Sequence, residues 1–319
     1  MTSALEQNTP PQFGVVVINW NNSDDTLACL DSLLANEPRP ARVVVVDNAS
    51  ADDSLPRIRD WRARHRFSGI ERSDSHPWLT IIESAINLGF AGGSNLGIDH
   101  LLRQSAVTHV MLLNNDATLT RSFFADMAET IRRFPDAGIL GPTIFETGSG
   151  KKVWYAGGVE YSWRALMQHN VTLPTRDDPI ETAFVTGCAM IIARHAIEKI
   201  GLLAECYFPA YWEDGDISIR ARHAGIPVLY VPTAVAYHKI GATVEAADLA
   251  VTLASCKNRL RVFFVRRNYH GLTRIVALTY LAVTKPARSL LEALKGHPRI
   301  GWAIFSGTLS GFVSRDAHR

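Results

Sequence analysis

Residues Tyr211–Arg220 (YWEDGDISIR) place three carboxylates within four positions, directly before a segment whose apolar residues have helical spacing. Acidic residues are common in the first turn of a helix because they complement the positive end of the helix dipole. The same arrangement suits a general base, since mutual repulsion among Glu213, Asp214 and Asp216 raises the pKa of one carboxyl group. Trp212 would supply an apolar platform beside them. From the residues alone, the two interpretations are close to level.

A second group of polar residues, Asn114-Asn115-Asp116, follows the apolar run 109–113. Their side chains offer the hard oxygen ligands that suit Mg²⁺ or Mn²⁺ bound jointly with phosphates. One aspartate cannot hold such an ion alone, and His238, at the end of another apolar run, is a candidate second ligand. A single histidine at a strand end is more often structural, so the metal site is a hypothesis.

Polar residues also end the earlier apolar runs. Asn19 and Trp20 close the first run, Asp47 closes the second, and Asn87 lies just beyond the third. In an open parallel α/β sheet, the carboxyl ends of the strands line the crevice where ligands bind. Asn and Asp also stop strands and cap helices, but their convergence favours a nucleotide-binding crevice.

The segment Asn87–Gly97 (NLGFAGGSNLG) is a glycine-rich loop that opens a helix. Gly92 and Gly93 would let backbone N–H groups approach a diphosphate. The segment matches neither the P-loop nor the GxGxxG pattern, so a tight turn with positive φ explains it equally well.

The elements that position these residues alternate between short apolar runs and amphipathic stretches, which predicts a doubly wound, mostly parallel sheet. Strands are predicted at 14–20, 42–47, 78–83 and 109–113, and helices at 23–34, 55–65, 91–103 and 121–134. The later chain predicts a smaller mixed-sheet extension. Its elements are a hairpin within 151–161 and strands at 183–193 and 228–238.

The net charge of +2 hides an asymmetry along the 319 residues. Residues 1–255 carry 21 Lys and Arg against 29 Asp and Glu, whereas residues 256–319 carry 12 against 2. We therefore predict a leader over 1–13, a main domain over 14–255 and a basic helical tail over 256–319. The main domain divides into a nucleotide-binding half, about 14–118, and a second half, about 119–255. Ordinary proportions of hydrophobic (47%) and charged (20%) residues exclude global disorder.

The tail mixes Arg and Lys with apolar residues, which predicts amphipathic helices on an anionic membrane surface. A helical cap on the domain and a homodimer interface are the alternatives. Four dispersed cysteines show neither metal spacing nor a disulfide framework, and the N-terminus lacks the features of a signal peptide. The apolar stretches at 275–283 and 300–312 are shorter than the roughly 18 to 20 residues of a membrane span. We expect a cytoplasmic protein, peripheral on the cytoplasmic face of the inner membrane.

Taken in order, these segments resemble the family-2 glycosyltransferases of the GT-A fold, and specifically their bacterial rhamnosyltransferase branch. The matching segments, over about residues 14–243, are VVVINWNNSDDTLACLDSL, VVVVDNASADDS, NLGFAGGSNLGI, LLNNDATL, TGCAMIIAR, FPAYWEDGDISIRARHAGI and VAYHKIGAT. The resemblance implies an inverting sugar transfer that needs a divalent cation, Mn²⁺ or Mg²⁺, but no covalent enzyme intermediate.

The resemblance also implies that residues 14–255 form the glycosyltransferase domain, with about 119–255 as its acceptor and catalytic half, and it implies roles for individual residues. Asp214 matches the catalytic base, and Asp116 and His238 match the metal ligands, while Trp212, Glu213 and Asp216 would face the acceptor or support the site. The donor nucleotide would contact Asn19, Trp20, Asp47, Asn87, Gly92, Gly93, Asn114 and Asn115. The chain departs from the DXD metal motif because Asn114 replaces the first aspartate, which leaves Asp116 as the only firm carboxylate.

The implied donor is dTDP-rhamnose, with UDP-sugars such as UDP-galactofuranose as the alternative. The implied acceptor is a hydroxyl of a cell-envelope glycan or of a polyprenyl-diphosphate-linked sugar. A sugar-nucleotide-forming nucleotidyltransferase would carry a basic glycine-rich loop after the first strand, where this chain has NWNNSDD. A non-catalytic nucleotide- or membrane-binding module is a further alternative. The acidic body and the lack of a recognition motif disfavour nucleic acid as a partner.

Overall fold

The computed structural model describes residues 10–65, 77–103, 106–239 and 247–314, so most of the predicted leader lies outside the described residues. In the first half, strands and helices alternate as predicted. The elements are β1 (Phe13–Asn19), α1 (Ser23–Leu34), β2 (Arg42–Asp47), α2 (Ser54–Arg64), β3 (Leu79–Glu83), α3 (Gly89–Leu102) and β4 (His109–Asn114). Their bounds differ from the predicted ones by at most two residues.

The second half is more irregular. Its strands are β5 (Ala117–Leu119), β6 (Ile139–Glu146), β7 (Val153–Tyr155), β8 (Gly158–Tyr161), β9 (Leu166–His169), β10 (Ile180–Glu181), β11 (Ala189–Ala193) and β12 (Val228–His238). Its helices are α4 (Phe123–Arg133), α5 (Arg194–Ile200) and α6 (Glu213–His223). The sequence did not predict β5 or β6, and the strand expected over 183–193 is present only from Ala189.

The main sheet has the strand order β10-β12-β6-β11-β4-β1-β2-β3, with β5 paired to β12 and β7 paired to β6. Strands β4, β1, β2 and β3 are parallel, and β11 runs antiparallel between β4 and β6. Alternate residues of β1 enter different cores: Val15 and Val17 pack in the core with Leu30 of α1, and Val16 packs in the core with Ile98 of α3. The predicted α/β architecture is therefore confirmed, as a mostly parallel sheet covered by helices on both faces.

The predicted hairpin within 151–161 is wrong. Strand β7 pairs with β6, whereas β8 pairs with β9 in a separate two-stranded sheet. Gly157, at φ +91°, turns the chain between β7 and β8. A Cβ on Gly158 would lie 2.3 Å from the Phe184 ring. The two glycines therefore turn the chain and admit a close contact with Phe184 instead of forming a two-stranded hairpin.

The C-terminal segment forms α7 (Ala247–Asn268), α8 (Gly271–Leu294) and α9 (Pro298–Val313). The predicted boundary between residues 255 and 256 lies inside α7. The apolar face of α7 is buried, with Phe263 and Phe264 in one core with Tyr207 and Ile219. Helix α9 approaches α7 so closely that a Cβ on Gly307 would lie 2.2 Å from the carbonyl oxygen of Ser255. Among the described residues, no helix combines the length and the apolar character needed to cross a membrane.

Candidate active site

The carboxyl ends of β1 and β2 hold a buried hydrogen-bond network. Asn19 Nδ2 donates to Asp47 Oδ1 at 2.7 Å and to Ser50 Oγ at 3.0 Å, and Asn19 Oδ1 accepts a bond from Thr26 Oγ1 at 2.7 Å. Asp47 Oδ2 accepts a bond from the Ser50 backbone N–H at 3.2 Å. The network fixes the orientation of the Asp47 carboxylate at the end of β2. Trp20, next to Asn19, is 52% exposed at the rim.

Asn48 joins the end of β2 to the start of α3, and the sequence analysis did not identify it. Its Nδ2 donates to Asn87 Oδ1 at 3.0 Å and to the Gly89 carbonyl at 3.1 Å, and its Oδ1 accepts the Leu88 N–H at 2.8 Å. Asn87 Oδ1 also accepts the Gly89 N–H. The N–H groups of Leu88 and Gly89 at the start of α3 are therefore bonded within the protein. The Asx residue directly after Asp47 was the available signal.

Gly92 and Gly93 lie inside α3 and are buried. A Cβ on Gly93 would lie 3.3 Å from Ile18 Cδ1 and 3.5 Å from Asn48 Nδ2, so the helix runs close to β1 and to the Asn48 amide. A Cβ on Gly92 would lie 3.0 Å from Leu88 Cβ. The absence of a Cβ at Gly93 therefore lets the first turns of α3 pack closely against the carboxyl ends of β1 and β2.

At the end of β4, Asn114 and Asn115 are also held by other segments. The Asn114 N–H donates to the Cys188 carbonyl at 2.8 Å. Asn115 Nδ2 donates to the Asn22 carbonyl at 3.2 Å and to Thr26 Oγ1 at 3.0 Å. Asn115 therefore reaches the same threonine as Asn19 and ties the β4 end to the network of β1 and β2.

Asp116 and His238 meet because β5 pairs with the end of β12, in a register that sets Ala117 opposite His238. Asp116 Oδ1 lies 3.1 Å from His238 Nε2 and is buried, with no hydrogen-bond partner among the residues that the structure describes. Two electron-pair donors that face the same small space fit a shared cation. Within the described ranges, no group of three or more His, Cys, Asp or Glu side chains could hold a metal ion. Any cation here would therefore need further ligands from a bound diphosphate or water.

Asp214 lies in the first turn of α6. Its Oδ2 accepts the Gly187 N–H at 3.1 Å and its Oδ1 accepts the Gly215 N–H at 2.7 Å. Burial raises the pKa of Asp214, while these two backbone hydrogen bonds act in the opposite direction. The preceding residues Tyr211 and Trp212 have φ values of +86° and +81°, a left-handed conformation that costs non-glycine residues energy and is concentrated at functional sites.

Glu213 is 5% exposed, and its Oε2 has no hydrogen-bond partner among the described residues. Burial, followed by the charge of Asp214, raises the pKa of Glu213 to about 8. Glu213 is therefore protonated at neutral pH. Both carboxylate oxygens of Asp214 accept backbone hydrogen bonds, whereas Glu213 has such bonds but keeps Oε2 without a described partner, so Asp214 is the better-stabilised carboxylate and the proton acceptor of the pair.

Asp216, one turn further on, belongs to a structural network. It is fully buried and accepts hydrogen bonds from Tyr207, Arg220 and Asn268 at 2.7–3.1 Å. Arg267 Nε lies 3.1 Å from the same carboxylate. Through its contacts with Arg267 and Asn268, Asp216 therefore stabilises the packing of α6 against α7.

Beside Asp214 lies a pocket of about 410 Å³. Its walls include residues that the sequence analysis did not connect with the site: Met167, His169, Phe184, Tyr211, Lys257, Asn258, Arg261 and Lys285. Burial lowers the pKa of His169, although the charge of Asp214 opposes this. The last four of these residues belong to α7 and α8, so the C-terminal helices form one wall of the pocket. No local sequence pattern indicates such a distant contact.

The Asp116–His238 pair and Asp214 are linked through the segment that precedes β11. The Cys188 carbonyl accepts the Asn114 N–H, and the neighbouring Gly187 N–H donates to Asp214. One short segment thus sets the position of Asp214 relative to the end of β4. This arrangement, a polar crevice at the strand ends beside a carboxylate pocket, is suited to group transfer from a bound nucleotide.

Comparison with known proteins agrees with the fold. A structure of GalNAc-T7 with UDP, GalNAc and Mn²⁺ has a TM-score of 0.66 at 15% identity, with 95% of this chain and 57% of that chain covered. The mannosyltransferase PcManGT of Pyrobaculum calidifontis, with GDP-Man and Mn²⁺, has a TM-score of 0.57 at 14% identity, with coverages of 97% and 89%. The chain thus has the GT-A-like fold, and it spans little more than half of the GalNAc-T7 chain.

Residues 10–261 match the family described as glycosyltransferase like family 2. The protein belongs to this glycosyltransferase family. A curated relative, the low-salt glycan biosynthesis hexosyltransferase Agl10 of Haloferax volcanii, is 25% identical over 230 residues, which cover 71% of this chain and 67% of the relative.

Proposed function

We propose that the protein is an inverting glycosyltransferase that moves a hexose from a nucleoside-diphosphate donor to an acceptor hydroxyl. The observation that carries this proposal is the link from Asn114 through Gly187 and Cys188 to Asp214. It sets a base beside the crevice end where the donor diphosphate would bind. The relationship to the hexosyltransferase Agl10 supports a hexose as the transferred group.

In this mechanism, Asp214 accepts the proton of the acceptor hydroxyl as its oxygen attacks C1 of the donor sugar. The new O–C1 bond forms while the bond from C1 to the diphosphate oxygen breaks, and that electron pair leaves with the nucleoside diphosphate. A single displacement inverts the anomeric centre. Because Glu213 is protonated, Asp214 is the member of the pair that carries the negative charge and can accept the proton.

Asp47 and Asn19 would bind the nucleoside, with Trp20 at the rim, and Asn87 and the start of α3 would border the sugar and diphosphate. Asp116 and His238 would hold a divalent cation together with the diphosphate oxygens. Such a cation stabilises the negative charge that develops on the leaving group.

For the donor, we propose dTDP-rhamnose, with UDP-galactofuranose as the alternative, on the sequence resemblance to the rhamnosyltransferase branch. A thermal-shift screen of nucleotide sugars, with and without Mn²⁺, tests this on the wild type and on Asp116→Ala. We expect one donor to raise the melting temperature, with a Mn²⁺-dependent part that Asp116→Ala removes. No shift with any nucleotide sugar would contradict the proposed activity.

For the acceptor, we propose a hydroxyl of a cell-envelope or lipid-linked glycan, reached at the cytoplasmic face of the membrane. Helices α8 and α9 support this through an outer surface of exposed apolar side chains: Leu272, Ile275, Val283, Leu290, Leu294, Trp302, Leu309 and Val313. The same two helices carry Arg274, Arg288 and Arg299, and Lys295 directly follows α8. Apolar and basic residues together favour an anionic bilayer surface.

Flotation with vesicles tests the membrane proposal. We expect the protein to float with vesicles that contain anionic lipid and to be released by salt, because screening weakens the attraction of the basic residues. No salt-sensitive binding would contradict membrane contact. A concentration-dependent doubling of mass in light scattering would instead assign this surface to a homodimer.

A further inference from the structure

The wall of the Asp214 pocket that α7 and α8 provide is cationic. Lys257 and Arg261 come from α7 and Lys285 comes from α8, while Asp214 is the carboxylate among the lining residues. Lys257 and Lys285 have no carboxylate within ion-pair distance in the described parts of the chain. The pocket therefore holds more positive than negative charge beside the proposed base.

Burial makes this excess charge costly. Burial, with the nearby charges of Arg261 and Arg288, lowers the pKa of Lys285 to about 8. Burial also lowers the pKa of Lys257 and of Arg261. A buried cation without a counter-ion is unfavourable, and an anion bound in the pocket would offset that cost.

The three cations are held in different ways. Arg261 donates from Nε to the Ala165 carbonyl at 2.7 Å and from Nη2 to the Arg164 carbonyl at 2.8 Å, which fixes its guanidinium group. Lys257 lies at the more exposed edge, with Nζ 4.3 Å from the centre of the Tyr211 ring. A fixed guanidinium with two adaptable ammonium groups suits an anion with several oxygen atoms.

A structural role would leave these charges satisfied within the fold. The buried carboxylate of Asp216, for comparison, has Arg220 and Arg267 as ion-pair partners. Among the described residues, no such carboxylate is paired with Lys257 or Lys285, although an apolar side chain of similar length could fill the position of Lys285 without the cost of burying a charge. The two lysines, beside the fixed guanidinium group of Arg261, are therefore available to a bound anion.

We propose that the acceptor carries a phosphate or diphosphate group, which Lys257, Arg261 and Lys285 bind while its hydroxyl faces Asp214. This rests on the proposed glycosyl transfer and defines its acceptor class. The donor diphosphate would lie at Asp116 and His238, so two anion sites would flank the base. The group can belong to a lipid-linked sugar or to a soluble phosphorylated molecule.

Calorimetric titration tests the site with farnesyl diphosphate, inorganic pyrophosphate and uncharged farnesol. EDTA is present so that no cation can bridge a diphosphate to Asp116 and His238. We expect both diphosphates to bind the wild type, and Lys257→Gln/Lys285→Gln to weaken them at least about tenfold, because charge-assisted hydrogen bonds are lost. The single variant Lys285→Arg keeps the positive charge and should therefore retain diphosphate binding. Farnesol should show no dependence on these residues.

Two control variants locate the effect. Lys295→Gln removes an exposed tail charge outside the pocket, and Asp116→Asn alters the proposed donor site. Both should bind farnesyl diphosphate like the wild type. Since Lys257 and Lys285 have no described carboxylate partner and burial penalises their charges, the double variant should have a melting temperature at least as high as that of the wild type.

The outcomes separate the two proposals. Wild-type affinity in the double variant, or no diphosphate binding by a protein that does bind a nucleotide sugar, would overturn the anion site. Diphosphate binding without nucleotide-sugar binding would overturn the glycosyl transfer and keep the anion site. Tighter binding of farnesyl diphosphate than of pyrophosphate would support a lipid-linked source, and equal binding would support a soluble one.

Discussion

On the β1–β2 side of the crevice, Asn19, Asp47 and Asn48 satisfy one another and the adjacent backbone through short hydrogen bonds. On the α6–α7–α8 side, Glu213 Oε2 has no described partner and Lys285 has no described carboxylate. The residues of the first region satisfy one another, whereas Lys285 in the second lines a pocket in which we propose that an anion binds. The proposed donor site is thus fixed in advance, and the proposed acceptor site holds charges that have no described partner.

The largest expected effect comes from removing the proposed base. Asp214→Asn should lower the transfer rate by about 10²–10⁴-fold, the usual contribution of general base catalysis, with donor affinity nearly unchanged. The measurement is the transfer rate beside the donor-induced thermal shift. Asp99→Asn, an exposed carboxylate on α3, serves as the control. Transfer at the wild-type rate by Asp214→Asn would rule this residue out as the base.

Glu213→Gln should stabilise the protein progressively as the pH rises. The folded-state pKa of about 8 lies above the ordinary value of 4.5, so the unfolded chain releases the proton first. The folded protein is therefore destabilised increasingly as the pH rises from about 4.5 to 8, and Gln removes this dependence. We expect a gain of roughly 2–4 kcal/mol at pH 8 relative to pH 5, from urea unfolding at both pH values.

The exposed Glu198→Gln is the matched control for that experiment, since its side chain is already in water in the folded protein. It should show no comparable gain with pH. An equal gain in both variants would mean that Glu213 is not the source of the pH dependence.

Asn48→Ala tests whether the donor region depends on its internal hydrogen bonds. The change leaves the Leu88 N–H, the Gly89 carbonyl and Asn87 without their partner, so the free energy of unfolding should fall by about 1–3 kcal/mol. Asn48→Asp keeps an acceptor for the Leu88 N–H but turns a buried carboxylate oxygen towards Asn87 Oδ1 and the Gly89 carbonyl, so it should lose at least as much. Wild-type stability in the alanine variant would show that this network is dispensable.

The smallest effect on stability should come from Trp302→Ser on the outer surface of α9. Trp302 is 67% exposed, so the free energy of unfolding should change by less than about 0.5 kcal/mol. Flotation with anionic vesicles should nevertheless decrease. A large loss of stability would mean that the indole packs within the folded chain and not on an external surface.

The strands and helices from β1 to β4, which carry the proposed donor site, could be predicted from the sequence because the signals for them are local. Runs such as Val43–Val46 are buried on both faces, and polar residues follow them directly at the sheet edge. The three-residue strand β5 and the pairing of β7 and β8 depend on contacts between distant segments. Lys285 lies about 70 residues after Asp214, and only the packing of α7 and α8 brings the two together. The basic composition of the tail predicted an anionic partner. It did not predict that Lys257, Arg261 and Lys285 line the pocket beside Asp214.

The family match ends at residue 261, in the middle of α7, whereas the pocket wall continues to Lys285 of α8. Substitutions in α8 can therefore change the charge of this wall while the hydrogen bonds around Asp47 and Asn48 stay intact. Under the proposed mechanism, donor recognition and acceptor recognition can therefore diverge separately in evolution. Exchange of residues after 261 between two family members would accordingly be a route to new acceptor specificity on an unchanged donor site.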